Sequence, residues 1–253
     1  MNKKQRQKQI VDYINTVSEA SIQELVQLTD SSIATIRRDL LDLHEQNLLI
    51  RLPGGARNMV QQQSLVQRTF DQRRSHNAEA KLAIATAAKK LVQPGMTIAI
   101  DSGTTCWQFA AQLVDIKPLR ILTSAVAVIE TLGDCDGIEL VVIGGLFRQS
   151  NLDFTGPSTI NSFRQFSADI AFLGCDGFIP EKGIFTNDLD SHAISQAIAA
   201  CAEKRVILFD DHKLNVRHSC RILEPREIDC IITNAQINTP LPGNLEYICT
   251  SAE

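Results

Sequence analysis

Six short apolar runs, at 96–100, 120–122, 140–143, 170–173, 206–209 and 228–232, most narrowly limit what this chain can fold into. They are dense in Ile, Leu, Val, Ala and Phe and do not alternate with polar residues. Strands of that kind are buried on both sides, as in a parallel sheet covered by helices on each face. The stretches 80–91, 104–113, 125–132 and 191–202 read as helices between them. Strand–helix alternation over some 150 residues predicts an α/β domain with a parallel sheet. There is no internal repeat and no low-complexity tract.

The amino-terminal part follows another pattern. Residues 3–16 read as a helix with Ile10, Tyr13, Ile14 and Val17 on its apolar face. Ser21 and Glu24, three apart, form a capping-box pattern that opens a second helix carrying Ile22, Leu25, Val26 and Leu28. A polar turn at 29–32 leads to a third helix, capped by Ser31 or Ser32. Ile33, Ile36, Leu40, Leu43 and Leu48 recur at helical spacing and form its expected buried stripe, with Thr35, Arg37 and Arg38 off it. An apolar strand at 48–52 is broken by Pro53, Gly54 and Gly55. Three short helices and a small hairpin describe a winged helix-turn-helix, whose third helix can lie in a DNA major groove. Residues 58–77, rich in Gln and Arg (Gln61, Gln62, Gln63, Gln67, Arg68, Gln72, Arg73, Arg74), read as a partly helical linker. The expected division is therefore 1–57, 58–77 and 78–253.

A net charge of −4 argues against indiscriminate nucleic-acid coating, although residues 1–57 hold eight basic and seven acidic side chains. The seven cysteines form no C-x-x-C pair, and the five histidines are dispersed. A structural zinc site or a disulfide framework is not expected, and the thiols read as small packing residues in a reducing cytosol. No metal and no cofactor is expected. The basic start lacks the apolar run of a signal peptide, and no segment is long and apolar enough to span a bilayer. The expected location is the cytoplasm.

Chemistry concentrates where strands are expected to end. Asp101, Ser102, Gly103, Thr104 and Thr105 follow one strand and open a helix, which suits a phosphate cradle or, equally, a well-capped turn. Thr123 and Ser124 end the next strand, and Gly144 and Gly145 the third, with Arg148 close behind. Asp176 lies in the fourth strand end, Asn187 and Asp188 follow, and Asp210 to Lys213 end the fifth. In a parallel sheet these clusters converge on one rim, as for a small ligand with an anionic end and hydroxyls. Arg148, Lys213 and the 102–105 loop would take the anion, and Asp176, Asn187 and Asp188 the hydroxyls. There is no G-x-S-x-G, Walker-type loop or G-x-G-x-x-G after a strand.

Thr35, Ile36, Arg37, Arg38, Asp39 and Leu40, followed by Leu49, Ile50 and Arg51 and by Gly54, Gly55 and Ala56, resemble the signature of the DeoR/GlpR family of bacterial transcriptional regulators. The series Asp101 to Thr105, Thr123, Gly144, Gly145, Arg148, Gly156, Phe172 to Gly174, Gly177, Gly183, Phe185 to Asp188, Asp210 to Lys213 and Ile231 to Thr233 fits it in order. The resemblance implies a repressor of a carbohydrate-utilisation operon that binds double-stranded operator DNA as a homodimer or homotetramer. It also implies a carboxy-terminal domain, similar to the ribose-5-phosphate isomerase and CoA-transferase type of fold, that senses a phosphorylated sugar. Ser32, Thr35 and Arg38 are then expected near base edges, and Arg37, Arg51, Arg57 and Lys3 at phosphates. A salt bridge of Arg38 with Asp42 at i,i+4 is the plainer alternative.

Two departures stand out. Thr123-Ser124 replaces the Thr-Asn often found in the family, and Asp210-Asp211-His212-Lys213 replaces Asp-x-Ser-Lys. The competing function is a sugar-phosphate isomerase with an accessory helix-turn-helix. Its acidic cluster would fall on Leu173, Gly174, Cys175, Asp176 and Gly177, where Asp176 stands as the sole carboxylate. One carboxylate is a poor set for proton transfer, so no enzymatic activity is expected. A protein–protein adaptor is a third class, disfavoured by the retained Arg37 and Arg38.

Overall fold

A computed structural model describes residues 2–17, 19–46, 48–52, 54–57 and 70–250. The chain divides into two compact units, Met1–Arg68 and Thr69–Glu253.

In the first unit, α1 (Lys3–Val17) is followed by β1 (Glu19–Ser21), α2 (Ile22–Thr29), α3 (Ile33–Glu45), β2 (Ile50–Leu52) and β3 (Gly55–Arg57). The capping box at α2 forms as expected, with Ser21 Oγ accepting from the Glu24 N–H at 3.2 Å and Glu24 accepting from the Ser21 N–H at 2.7 Å. Ile10, Ile14, Leu25, Ile36, Leu40, Leu43 and Leu49 make the core. Two members of the expected stripe do not join it: Ile33 is 49% and Leu48 45% exposed. Ile33 is the first residue of its helix, and Leu49 takes the inward place after the helix ends. The strands pair antiparallel in the order β1-β3-β2, which makes a three-stranded wing of the expected hairpin. The two glycines of the turn have separate reasons. Gly54 has φ +95, and a Cβ on Gly55 would collide with the Ala20 carbonyl across β1.

The second unit opens with α4 (Phe70–Ser75) and α5 (Ala78–Lys89). Residues 70–77 are thus an ordered part of this unit, while the linker expectation for 58–69 lies outside the described residues. The chain continues as β4 (Thr97–Ile100), α6 (Thr104–Ala110), β5 (Leu119–Thr123), α7 (Val126–Leu132), β6 (Ile138–Val142), β7 (Leu146–Arg148), β8 (Asp153–Thr155) and α8 (Pro157–Phe163). It ends with β9 (Ala168–Leu173), β10 (Gly177–Ile179), β11 (Gly183–Thr186), α9 (Leu189–Ala200), β12 (Ala202–Leu208), β13 (Cys220–Leu223), β14 (Cys230–Thr233) and β15 (Glu246–Cys249).

Among the described residues seven strands form one parallel sheet in the order β15-β14-β12-β9-β4-β5-β6. Successive residues point to opposite faces, and both faces are largely buried in the inner strands, while the edge strands β6 and β15 are partly exposed. Ile98, Ile100, Phe172, Leu208 and Ile232 pack with α5, α6 and α7. Ala99, Ala171, Leu173, Ile207 and Ile231 pack with α8, α9 and the small antiparallel sheet β10-β11-β13. This explains why the strands read as unbroken apolar runs. The chain leaves β4 toward β5 and β6, then returns to the other side of β4 as β9 and proceeds to β12. Neighbouring strands whose connections depart in opposite directions leave a crevice at their carboxyl ends, where open α/β sheets hold ligands. In this chain the corresponding position is between 101–105 and 174–176.

Candidate functional site

Two clusters of chemistry emerge, one in each unit. In the first, Ser32 is the N-cap of α3 and accepts from the Thr35 N–H at 3.2 Å, and the two hydroxyls lie 2.9 Å apart. Ser32 and Thr35 therefore form the start of the helix, at its positive end. Arg37 and Arg38 are exposed on the face opposite Ile36, Leu40 and Leu43, and neither has an ion-pair partner among the described residues. The expected alternative, an Arg38–Asp42 bridge, is absent at bonding distance: Lys3 Nζ pairs with Asp42 at 2.6 Å and is the main reason its carboxyl is held low, and Arg38 adds only a weaker electrostatic pull. That same contact engages Lys3, which was expected at a phosphate. Arg51 is exposed on β2, the outer strand of the wing. Arg57 lies on β3, and its side chain is outside the described residues.

In the second unit the expected convergence on one rim follows from the all-parallel sheet. The groups on that rim are of two kinds. Some are closed off. Asp101 is 4% exposed and accepts from Ser195 Oγ and the Ser102 N–H, each at 2.8 Å. Burial pushes its carboxyl up to about 7, against the pull of those hydrogen bonds. Thr123 is fully buried, donating to the Ile100 carbonyl at 2.8 Å and accepting from the Ala125 N–H at 3.1 Å. Ser124 beside it is also buried, with its Oγ lacking a described partner.

Arg148 was expected to be a free anion partner, but it clamps Asp153 through two hydrogen bonds at 2.9 and 2.6 Å and reaches Asp188 at 2.6 Å. Burial works against its charge, but the two carboxylates outweigh it and raise its pKa further. Asp188 also caps α9 through the Ser191 N–H at 2.6 Å; burial raises its pKa, but these hydrogen bonds and Arg148 leave it lowered overall. Gly145 is needed because a side chain there would strike Thr159, whose hydroxyl ties down the Gly144 carbonyl at 2.9 Å. Asp101, Thr123, Arg148, Asp188 and Gly145 thus build the rim.

Most of the other groups stay available. Ser102 and Gly103 are partly exposed, and Gly103, with φ +114, heads α6 without a side-chain cap. Thr104 and Thr105 sit in that first turn and are largely buried. Gly174 lies against this loop: a Cβ there would stand 3.5 Å from the Ser102 carbonyl. Asp176 accepts from Thr186 Oγ1 at 2.7 Å and from the Asn187 N–H at 3.4 Å. Lys213 approaches Asp176 only to 4.0 Å, and Asn187 is exposed.

Two rim cations were not expected from the sequence. Arg73, on α4, donates to Asn151 at 3.0 Å and is drawn toward Asp176 and Asp153, while its buried Nε meets no described acceptor. Lys81, 5% exposed, donates to the Arg73 and His76 carbonyls at 2.6 and 2.7 Å. Burial lowers the pKa of both. The segment 70–77 crosses several rim elements. Phe70 meets Trp107 edge-on, Arg74 lies 4.0 Å over the Trp107 ring, and Asn77 contacts His212 at 2.6 Å. The Gln- and Arg-rich composition that suggested a linker hid this docking. Phe70, an aromatic ahead of the Arg pair, was the available signal. Asp210, Asp211 and His212 lie close enough to share a cation, but His212 is already bonded to Asp211 at 2.9 Å.

Comparison with known proteins adds two family matches. Residues 6–62 match a DeoR-like helix-turn-helix domain and residues 76–235 a DeoR C terminal sensor domain. The chain is similar to a putative aga operon transcriptional repressor of Escherichia coli O157:H7, at 28% identity over 92% of this chain and 87% of that protein. It is 30% identical to the lactose phosphotransferase system repressor of Lactococcus lactis subsp. lactis, over 97% of this chain and 95% of the relative. An L-fucose operon activator of Haemophilus influenzae is 28% identical, over 96% and 95% respectively. Among solved structures, the ribose 5-phosphate isomerase A of Methanocaldococcus jannaschii overlaps 55% of each chain, with a TM-score of 0.41 and 21% identity.

Proposed function

The chain belongs to the DeoR family of transcriptional regulators, and on that premise we propose that it represses a carbohydrate-utilisation operon until a phosphorylated sugar occupies the rim of its second unit. α3 enters the major groove of operator DNA, with Ser32, Thr35 and Arg38 nearest the bases. Arg37, Arg51 and Arg57 hold phosphates. The protein acts in the cytoplasm as a homodimer or homotetramer, so that paired winged units meet paired half-sites. Among the described residues no helix is long and apolar enough to cross a membrane.

The observation that carries the effector reading is the loose contact between Lys213 and Asp176 at the crevice, 4.0 Å apart and each about a third exposed. Most other rim charges have short internal partners; this pair is placed to exchange its weak contact for a ligand. Lys213 takes the anionic end, with the charge of Arg73 behind it and the Ser102, Gly103, Thr104 and Thr105 loop beside it. Asp176 and Asn187 take hydroxyls. Asp101, Thr123, Gly144, Gly145, Arg148 and Asp188 shape the cradle. The rim holds its ligand without transforming it: Asp176 is engaged as an acceptor by Thr186 and the Asn187 N–H, and Asp101 is sealed behind Ser195 and Ser102. Repression is relieved because the effector binds one arrangement of the protein more tightly than the DNA-bound one.

Thermal unfolding with inorganic phosphate, glucose 6-phosphate, fructose 1-phosphate, galactose 6-phosphate, ribose 5-phosphate and the unphosphorylated sugars tests this. A ligand at about 100 times its Kd stabilises by roughly 2.7 kcal/mol, a rise of several degrees. At least one sugar phosphate raises the midpoint of the wild type and not of Lys213→Met. No rise with any of them, or an equal rise in both proteins, contradicts the site.

A further inference from the structure

Asp39 belongs to the same run as the two exposed arginines of α3, yet its carboxylate points into the unit and is 2% exposed. It accepts from Arg6 Nε at 2.5 Å and from Gln7 Nε2 at 3.2 Å, both on α1. About one turn further along α3, Asp42 accepts from Gln7 Nε2 at 3.4 Å and pairs with Lys3 at 2.6 Å. The first two turns of α1 therefore grip α3 at two successive turns. The grip has an electrostatic side. Asp42 stands four residues after Arg38, the spacing at which helix ion pairs form, and already feels its charge, whereas Asp39, the residue directly after Arg38, points to the buried side. Lys3 and Arg6 occupy both carboxylates, and Arg37 and Arg38 remain exposed without a described ion pair.

We propose that Arg6 and Asp39, with Lys3 and Asp42, are positioning residues for DNA reading: the Arg6–Asp39 pair fixes the roll of α3 about its axis, and Lys3 keeps Asp42 from capturing Arg38. The proposal rests on the DNA-binding reading above. A buried ion pair contributes little net stability compared with a well-packed apolar pair, so what this one supplies is geometry. Geometry matters here because a guanidinium reads a base edge through a fixed pair of hydrogen bonds. A helix free to roll presents the same charge to phosphates but loses the alignment to bases.

The test uses the full-length protein, a duplex enriched by the wild type from a random-sequence library, and a scrambled duplex of equal length. Arg6→Met with Asp39→Met removes the pair without leaving a lone buried charge. The enriched-to-scrambled affinity ratio falls at least about tenfold, while binding to the scrambled duplex stays within about twofold. Asp39→Asn, nearly isosteric, gives a smaller fall in the same direction and serves if the double variant does not fold. Lys3→Met frees Asp42 and weakens binding to the enriched duplex, and adding Asp42→Asn restores it. A folded double variant, or a folded Asp39→Asn variant, with the wild-type ratio overturns the positioning role. Failure of Asp42→Asn to restore Lys3→Met assigns Lys3 to phosphate contact and overturns the Asp42 half. A wild type that enriches no duplex overturns the DNA-binding reading itself, a result distinct from the others.

Discussion

The two charged regions of this protein are built on opposite plans. On α3 and the wing, Arg37, Arg38 and Arg51 stand exposed and unpaired among the described residues, while the acidic residues beside them are held by α1. On the rim, the half-buried Arg148 and the buried Lys81 are held in short hydrogen bonds, and Lys213 and the Nε of Arg73 have loose or missing partners. An exposed arginine costs little to keep ready and suits a long polyanion that brings its own counter-charge. A buried cation must be paired as the domain folds, which gives a rigid cradle of fixed shape suited to one small molecule. The first plan makes affinity salt-dependent, and the second makes specificity steric.

The difference can be broken or sharpened at several points. Arg148→Ala has the largest expected effect. It leaves Asp153, 1% exposed on its side chain, as an uncompensated buried charge and costs about 3–5 kcal/mol in urea unfolding. A loss under about 1 kcal/mol would mean that the rim is no more rigid than the surface.

Asp101→Asn comes next, and its effect depends on pH. The carboxyl is raised in the fold from 3.8 to about 7, so its stabilising contribution is complete below 3.8 and lost as pH rises through about 7. The amide keeps the acceptor for the Ser102 N–H and a donor for Ser195 and does not titrate. The stability of the wild type relative to this variant therefore declines from about pH 4 to about pH 7, by at most about 1.4 kcal/mol per pH unit, and then levels off. A pH-independent difference contradicts the burial of this charge.

Arg38→Ala weakens binding to the enriched duplex by about 1–3 kcal/mol and relaxes preference at one base position. Arg51→Ala weakens all duplexes about equally and lowers the salt slope by about one. Footprints that relax the other way round would exchange the two roles. Lys3→Met has the smallest effect on stability, below about 1 kcal/mol, because its pair with Asp42 is exposed. A larger loss would place that pair among the buried ones.

Features set by local chemistry could be read from the sequence. The Ser21–Glu24 capping box, the Ser32 cap and the unbroken apolar strands depend on neighbours in the chain or on burial from both sides, and all appear as expected. What could not be read depends on distant partners. β1 is three residues long and exists because β3 pairs with it over Gly55. α8 reads Pro-Ser-Thr-Ile-Asn-Ser-Phe and offers no apolar stripe, and β15 completes the sheet only beside β14. The same distinction runs through the rim. Thr123 and Arg148 have the right chemistry for a ligand, but the Ile100 carbonyl and Asp188, far away in sequence, engage them first. Arg73 was concealed by a polar stretch whose docking depends on Trp107 and Lys81.

The most direct test couples the two regions. Affinity for the enriched duplex is measured by fluorescence anisotropy at fixed salt, with and without the sugar phosphate that most raises thermal stability. Wild type and Lys213→Met are compared. The account predicts that the sugar phosphate weakens wild-type binding at least about fivefold and leaves the variant unchanged. Wild-type affinity that does not respond, or an equal response in the variant, contradicts control of DNA binding from the rim.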